Sequence, residues 1–113
     1  MTAITKDTDY QIIDCGVGGM GGVKTLLVRC INTVDATNTL AITLADFGIA
    51  PTGFIGIVSW VHTTDNSVSA LETNTTSVTS GVLTITIGAG TDNDSRFILV
   101  YGLSNKPAAA SAL

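Results

Sequence analysis

Three short segments of this chain carry residue types that could do chemistry. The first is a glycine run at residues 16–22, which contains a literal G-x-G-x-x-G and follows the apolar pair Ile12 and Ile13. Such a run binds the pyrophosphate of a dinucleotide when its glycines open a helix inside a β-α-β unit. The residues after this run are rich in β-branched side chains and predict a strand instead. We therefore predict a loop here, and we expect no nucleotide and no other cofactor.

The second segment places a histidine and an aspartate close together at the end of a predicted strand. His62 and Asp65 could orient a base toward a nucleophile such as Ser59 or Ser67. Two members of a triad within one turn are more typical of plain turn chemistry. No G-x-S-x-G nucleophile elbow accompanies them. We expect no catalytic residues and no enzymatic activity.

The third segment, Asp92, Asn93 and Asp94, resembles the start of a calcium-binding loop. An EF-hand loop continues with a glycine and a distant glutamate. Here Arg96 puts a positive charge where the ion would need a ligand. The segment is therefore interpreted as a turn, and no metal site is expected.

Composition narrows the possible functions further. Only 12% of the 113 residues are charged, 45% are hydrophobic, and the net charge is −4. Residues 39–101 contain one Glu, one Arg and no Lys. Binding to nucleic acid or to an anionic membrane requires clustered basic residues, and the five Lys and Arg are scattered along the chain. We expect neither partner, and we expect part of the apolar surface to meet another protein.

Alternation of apolar and polar residues predicts strands and gives no helical period. The predicted strands span residues 10–15, 23–32, 39–44, 54–62, 68–73, 82–87 and 96–101. Strands at this spacing are typical of an all-β sandwich or barrel. One domain is predicted at residues 10–104, with a flexible N-terminal arm at residues 1–9 and a flexible tail at residues 105–113.

Two of the predicted strands, residues 23–32 and 54–62, are apolar on both faces. A strand of this kind lies between two packed layers or at a subunit contact. The residues predicted to form an oligomer interface are Leu27, Ile31, Ile55, Ile57 and Val61. A homotrimer is expected, with a dimer as the alternative.

The two cysteines bear on the compartment. No basic and apolar leader is visible at the start of the sequence, so no signal peptide is expected. No run of residues has the apolar length of a membrane span. In a cytoplasm Cys15 and Cys30 are expected to be free, half-buried thiols, with a disulfide between them as the alternative.

Several segments carry a family resemblance. They read LAITLADFGI at residues 40–49, HTTDNSV at 62–68, TTSVTSGVLTITIG at 75–88 and RFILVYG at 96–102. In this style of strand and turn the chain resembles the small all-β virion proteins of tailed bacteriophages, which include capsid decoration (cement) proteins and head-fibre bases. The resemblance covers most of the chain, and the glycine run at residues 16–22 has no place in it.

The resemblance implies a fold and a location. The fold is a jelly-roll-like antiparallel β-sandwich of about seven to eight strands, usually in a homotrimer. The implied partner is the major capsid protein, because decoration proteins sit on the outside of the virion where capsomers meet. The protein is then made in the host cytoplasm and located on the capsid surface.

The polar N-terminal arm is the part expected to reach the capsid. The residues assigned to this contact are Thr2, Ile4, Lys6 and Tyr10. Two other classes of function stay open. One is a phage tail, baseplate or head-fibre component built on the same sandwich. The other is a carbohydrate-binding sandwich, which would present exposed aromatic residues such as Trp60 and Tyr101 on one face.

Overall fold

The chain folds into two antiparallel β-sheets. The computed structural model describes residues 3–17, 22–31, 34–62, 69–88 and 95–104. Within these ranges it contains eight strands, one 3₁₀ turn at Leu44–Phe47 and no α-helix. The strands are β1 (Tyr10–Val17), β2 (Val23–Cys30), β3 (Thr39–Thr43), β4 (Ile49–His62), β5 (Ser69–Leu71), β6 (Thr75–Thr79), β7 (Val82–Thr86) and β8 (Arg96–Ser104).

Strand pairing is nested, which is the mark of a jelly-roll-like sandwich. The five-stranded sheet has the order β1-β2-β8-β4-β5, and the three-stranded sheet has the order β3-β7-β6. Strands β2 and β8 pair in one sheet. Strands β3 and β7, which lie between them in the sequence, pair in the other sheet. The prediction of an all-β sandwich is confirmed.

The core lies between the inner faces of the two sheets. Alternation places every second residue of the core-forming strands inward, and most of these residues are aliphatic. Leu26 and Val28 of the large sheet and Leu83 and Ile85 of the small sheet are all fully buried in one cluster. Each such side chain contributes about 1.5–3 kcal/mol by burial.

Strand β6 was not predicted from the sequence. Its five residues are all exposed, so it shows no apolar alternation. It pairs with β7 through a two-residue hairpin in which Ser80 and Gly81 both have positive φ, 51° and 76°. That geometry matches a tight hairpin turn, for which glycine is favoured. The strand before this turn was missed in the sequence analysis.

Strand β4 begins earlier than predicted and changes its inward face along its length. It starts at Ile49, passes through Pro51, and shifts register between Phe54 and Gly56. This bulge places Phe54 against the core and leaves Ile55 57% exposed. Beyond the bulge the odd-numbered residues face inward.

That change of face corrects two predicted interface residues. Ile57 packs against the core, and Val61 is 4% exposed in the single chain. Both side chains are therefore used inside the protomer and offer little surface to a neighbour. In a regular strand the sequence pattern separates the two faces without saying which one faces inward, and in β4 it does not reveal the bulge that moves Phe54 and Ile55 to opposite faces.

Residues 3–9 form part of the fold, which corrects the prediction of a free arm over that range. The amide of Ile4 donates to the carbonyl of Thr39 at 2.8 Å, beside the edge of the small sheet. A turn follows, in which the amide of Thr5 donates to the Asp9 carboxylate at 2.8 Å. Ile4 also packs against the core. The predicted tail, residues 105–113, lies outside the described residues.

Candidate interaction surface

The candidate site is the side of the five-stranded sheet that points away from the three-stranded sheet, here called the outer face. Its position follows from burial on the central strand β8. Ile98 and Val100 are fully buried and face inward. Phe97, Leu99 and Tyr101 alternate with them and therefore point to the outer face, where each is half-buried.

Directly paired residues form two rows across this face, and most of their residues are apolar. The first row crosses four strands and contains Ile13, Leu27, Leu99 and Val58. The second crosses all five strands and contains Gln11, Arg29, Phe97, Trp60 and Leu71. Leu71 is 76% exposed, Ile13 45% and Val58 36%. The face therefore presents a contiguous apolar surface to solvent in the single chain.

The outward side of the small sheet is different in chemistry. Its three strands present short hydroxyl and small side chains in register: Thr39, Thr86, Thr75, Ala41, Thr84, Ser77, Thr43, Val82 and Thr79. An antiparallel sheet normally keeps one polar face in water. The small sheet follows this rule and the large sheet does not, which makes the outer face the candidate interaction surface.

Formal charge is sparse on the outer face. Arg29, on β2, is the one charged residue in the two rows. Lys24 lies on the same strand but faces the other side, where its Nζ contacts the Asp14 carboxylate at 2.7 Å. A surface so poor in cations does not suit a polyanion. It suits a protein surface of similar apolar character.

Of the residues predicted to form an oligomer interface, the structure places one within the outer face. Leu27 lies in its first row. Ile31 is 44% exposed just beyond the end of β2, and Ile55 is exposed at the bulge of β4. The aromatic and aliphatic residues of β8 were not assigned to this surface, although their alternation with Ile98 and Val100 was visible in the sequence.

The residues predicted to contact a capsid are divided between anchors and exposed groups. Tyr10 is 4% exposed, and its hydroxyl donates to the carbonyl of Ala41 at 3.3 Å. Ile4 packs against the core. Lys6 is exposed at the turn, where its Nζ lies 2.9 Å from the Asp7 carboxylate. Thr2 lies outside the described residues.

A buried ion pair closes one end of the sandwich. Arg96 is 0% exposed, and the side chain of Glu72 is 5% exposed. The guanidinium donates to both carboxylate oxygens of Glu72, from Nε at 2.9 Å and from Nη2 at 3.1 Å. Nη1 donates to the carbonyl of Val34 at 2.7 Å. The bidentate geometry compensates for removing both charges from water.

The amide side chain of Asn74 extends this polar cluster to β4 and to the segment that follows β7. Asn74 Nδ2 donates to the Ser59 hydroxyl at 3.0 Å and to Glu72 Oε1 at 3.2 Å, and its Oδ1 accepts from the amide of Gly88 at 2.7 Å. The cluster thus joins β4 and β8 to the segments that flank β6 and β7. Each of its groups is used in holding the sheets together, and the geometry indicates a structural role.

The two cysteines are free thiols in very different surroundings. Cys15 is exposed, and Cys30 is 2% exposed in the core. The expectation of two half-buried thiols is therefore wrong for both. Burial raises the pKa of the Cys30 thiol to about 12, although the nearby Arg96 guanidinium acts to lower it. Burial likewise raises the pKa of Tyr10.

The segments considered for chemistry do not assemble a site in the described part of the chain. Ser59 points inward, where its hydroxyl accepts a hydrogen bond from Asn74. His62 points to the other face of β4, where its ring packs edge-on against Phe97 with 5.6 Å between the ring centroids. Asp65, Ser67 and the predicted turn at residues 92–94 lie outside the described residues. Among the residues that are described, no three His, Cys, Asp or Glu side chains group as metal ligands.

The glycine run joins two antiparallel strands. Strand β1 ends at Val17 and β2 begins at Val23, and the two pair with each other. A dinucleotide fold would instead place a helix immediately after these glycines.

The described part of the chain contains no helix with the length and hydropathy of a membrane span.

Comparison with known proteins gives no assignment. Searches against models of protein families, curated protein sequences and solved structures found no significant match.

Proposed function

We propose that the protein is a non-enzymatic structural protein of a tailed-phage virion, which binds the outside of the capsid at capsomer junctions and stabilises the shell. The observation that supports this proposal is the outer face, an apolar and nearly uncharged surface that a single chain leaves uncovered, as expected of a subunit that functions in a larger protein assembly. Surfaces of this kind mark protein–protein contacts. The resemblance of the strand and turn sequences to phage decoration proteins supplies the class of partner.

The major capsid protein is the proposed partner, and a homo-oligomer, a trimer by the resemblance, is the proposed binding form. A decoration protein acts by mass action, because its binding energy for the assembled shell adds to the stability of that shell. Several weak contacts made together by one oligomer raise the total affinity steeply. An all-β sandwich with a rigid core is suited to this role.

The turn at residues 5–9 is the proposed capsid contact of the folded chain. Its backbone is fixed by Asp9, and it presents Lys6 and Asp7 to solvent with side-chain exposures of 44% and 72%. Ile4 and Tyr10 hold this turn to the sandwich from either side. Thr2 precedes the turn and is included in the proposed contact on sequence grounds.

Capsid binding tests this function directly. Full-length protein added to expanded capsids of the phage that encodes it is expected to bind at defined lattice positions and to raise their resistance to heat. Lys6→Glu is expected to weaken binding by about tenfold, since reversal of a contact charge opposes the partner. The control is Asp46→Lys, a charge reversal at an exposed residue of the 3₁₀ turn.

Cryo-electron microscopy and sedimentation measure occupancy in this experiment. If Lys6→Glu binds as well as the wild type, the turn is not the contact. If the full-length protein does not decorate expanded capsids, the decoration function is wrong. Gold-labelled antibody on the virion tail would then support the tail or head-fibre alternative.

A carbohydrate-binding module is a second candidate, favoured by one observation. Trp60, Phe97 and Tyr101 share the outer face, as aromatic residues do in many flat sugar-binding surfaces. The aliphatic pair Leu99 and Val58 separates Tyr101 from the adjacent pair Trp60 and Phe97, and the first row carries no polar group to bond a sugar hydroxyl. We therefore expect no binding to insoluble polysaccharides and no quenching by oligosaccharides of Trp60, the single tryptophan of the chain. Quenching that Tyr101→Ala abolishes would favour this candidate over the structural role.

A further inference from the structure

The outer face has the properties of an isologous subunit interface, and we infer that it is covered by the outer face of a second copy of this chain. The inference names a contact that is separate from any capsid contact. It holds whether or not the protein decorates a phage shell, because it depends on the physical chemistry of one sheet face.

The outer face approaches the size of a stable protein–protein interface. Strands β2 and β8 pair over eight residues, from Val23 with Leu103 to Cys30 with Arg96, which gives a length of roughly 26 Å. The five strands of this sheet give a width of roughly 24 Å. The projected area is therefore somewhat below about 600 Å², because β5 contributes only three residues. Side-chain relief raises the accessible area toward the roughly 800 Å² that each partner buries in a stable complex.

The second step concerns chemical complementarity. An apolar face with little charge pairs well with a surface of the same kind, and its own copy is such a surface. The first row places Ile13, Leu27, Leu99 and Val58 side by side across four strands. Two such faces can pack about 10 Å apart, in the way that the two sheets of a sandwich pack.

The third step concerns symmetry. Strand β8 is the central strand of the five, and Leu99 lies near its middle, paired with Leu27 on one side and Val58 on the other. A flat face that packs on a copy of itself closes around a two-fold axis and leaves no further surface of that type. The outer face therefore forms a dimer with Leu99 close to the axis, in contrast to the trimer expected from the resemblance.

The decisive variant places a charge at the centre of this face. Leu99→Glu points away from the core of its own protomer, and in the dimer it brings two carboxylates together across the axis. We expect dimerisation to weaken by at least about a hundredfold, because like charges opposed in a desolvated contact are strongly unfavourable. Sedimentation equilibrium at several protein concentrations measures the dissociation constant.

The matched control makes the same kind of change on the other sheet. Thr84→Glu introduces a carboxylate on the outward side of β7, the central strand of the three-stranded sheet. It is expected to leave the dimer intact. Circular dichroism and a thermal melt show whether each variant is folded. Should Leu99→Glu fail to fold, Val58→Lys and Leu71→Lys probe the same face at positions 36% and 76% exposed.

Trp60 supplies a second readout that is specific to the outer face. It is the single tryptophan of the chain and lies in the second row. Dilution of the wild-type protein through its dissociation constant is expected to shift the emission of Trp60 to longer wavelength, as the indole becomes hydrated. The folded Leu99→Glu variant should show the shifted emission at every concentration.

Three results would overturn the inference. One is a wild-type protein that stays monomeric at roughly a hundred micromolar. Another is an oligomer that Leu99→Glu and Leu71→Lys leave unchanged. The third is a trimer, which two isologous faces cannot build. None of these results depends on capsid binding, so this inference and the proposed function fail separately.

Discussion

Glu72→Ala is expected to destabilise the protein by about 3–5 kcal/mol, since it leaves the fully buried Arg96 guanidinium without its bidentate carboxylate. A domain of this size has a total stability of about 5–15 kcal/mol. The variant should therefore unfold at a much lower urea concentration, or fail to accumulate. Urea titrations followed by circular dichroism at one fixed protein concentration measure the loss.

A second variant distinguishes the cost of removing the carboxylate from a buried guanidinium from the intrinsic strength of the ion pair. Arg96→Met combined with Glu72→Leu removes both charges and fills their space with apolar groups. We expect this double variant to be more stable than Glu72→Ala, because a buried ion pair gains little over a well-packed apolar pair. Recovery should be incomplete, since the carbonyl of Val34 loses its donor from Arg96.

An exposed ion pair provides the control. Lys6→Ala removes the contact between Lys6 and Asp7, whose side chains are 44% and 72% exposed, and it should change stability by less than about 1 kcal/mol. If Glu72→Ala costs no more than Lys6→Ala, the Arg96 site is hydrated in solution. The buried cluster would then not hold the end of the sandwich.

The location of Arg96 was partly predictable. It starts the strand that continues with Ile98 and Val100, and these three residues share one face by alternation. A cation on the inward face of a strand requires a buried partner. The chain contains a single glutamate, Glu72, but four aspartates also lie in residues 39–101. Glu72 directly follows β5, so its position beside Arg96 depends on the pairing of β5 with β4. Local sequence does not specify that pairing.

The two faces of each strand were predicted more reliably than the direction in which they point. On β2 the alternate set that contains Leu26 and Val28 is the buried one. On β4 both candidate sets are apolar, so hydrophobicity does not distinguish inward from outward. The bulge near Gly56 then reverses the parity of Phe54 relative to Trp60. An interface chosen from β4 by pattern alone therefore included core residues.

Strand β6 shows the opposite limitation. Its sequence of Thr, Ser and a single Val has high β-propensity but no period, because an edge strand outside the core has no face to bury. The signal that could have identified it is the hairpin turn at Ser80 and Gly81. A two-residue turn before β7 requires a strand on its other side.

Raising the pH from 9 to 12 is expected to lower the stability of the protein by up to about 4 kcal/mol through Cys30 alone. Burial raises the pKa of this thiol from 9.0 to about 12 in the folded chain. Below pH 9 the thiol is protonated in both states, so its contribution is fully present. Between pH 9 and 12 only the unfolded chain releases the proton, which favours unfolding by about 1.4 kcal/mol per pH unit.

Cys30→Ala isolates the effect of Cys30 ionisation on the stability of the protein. Any cavity that it leaves lowers stability equally at every pH, so the difference in slope between the two proteins reports the ionisation of the thiol alone. The wild-type curve should fall more steeply than that of Cys30→Ala from pH 9 upward in urea titrations with reductant present. Both curves fall further above pH 10, because burial also raises the pKa of Tyr10.

Cys15→Ala, which removes the exposed thiol, should follow the wild type. If Cys30→Ala and the wild type keep parallel curves through pH 12, Cys30 is hydrated and ionises freely in the folded chain, and the core next to Arg96 is open to water.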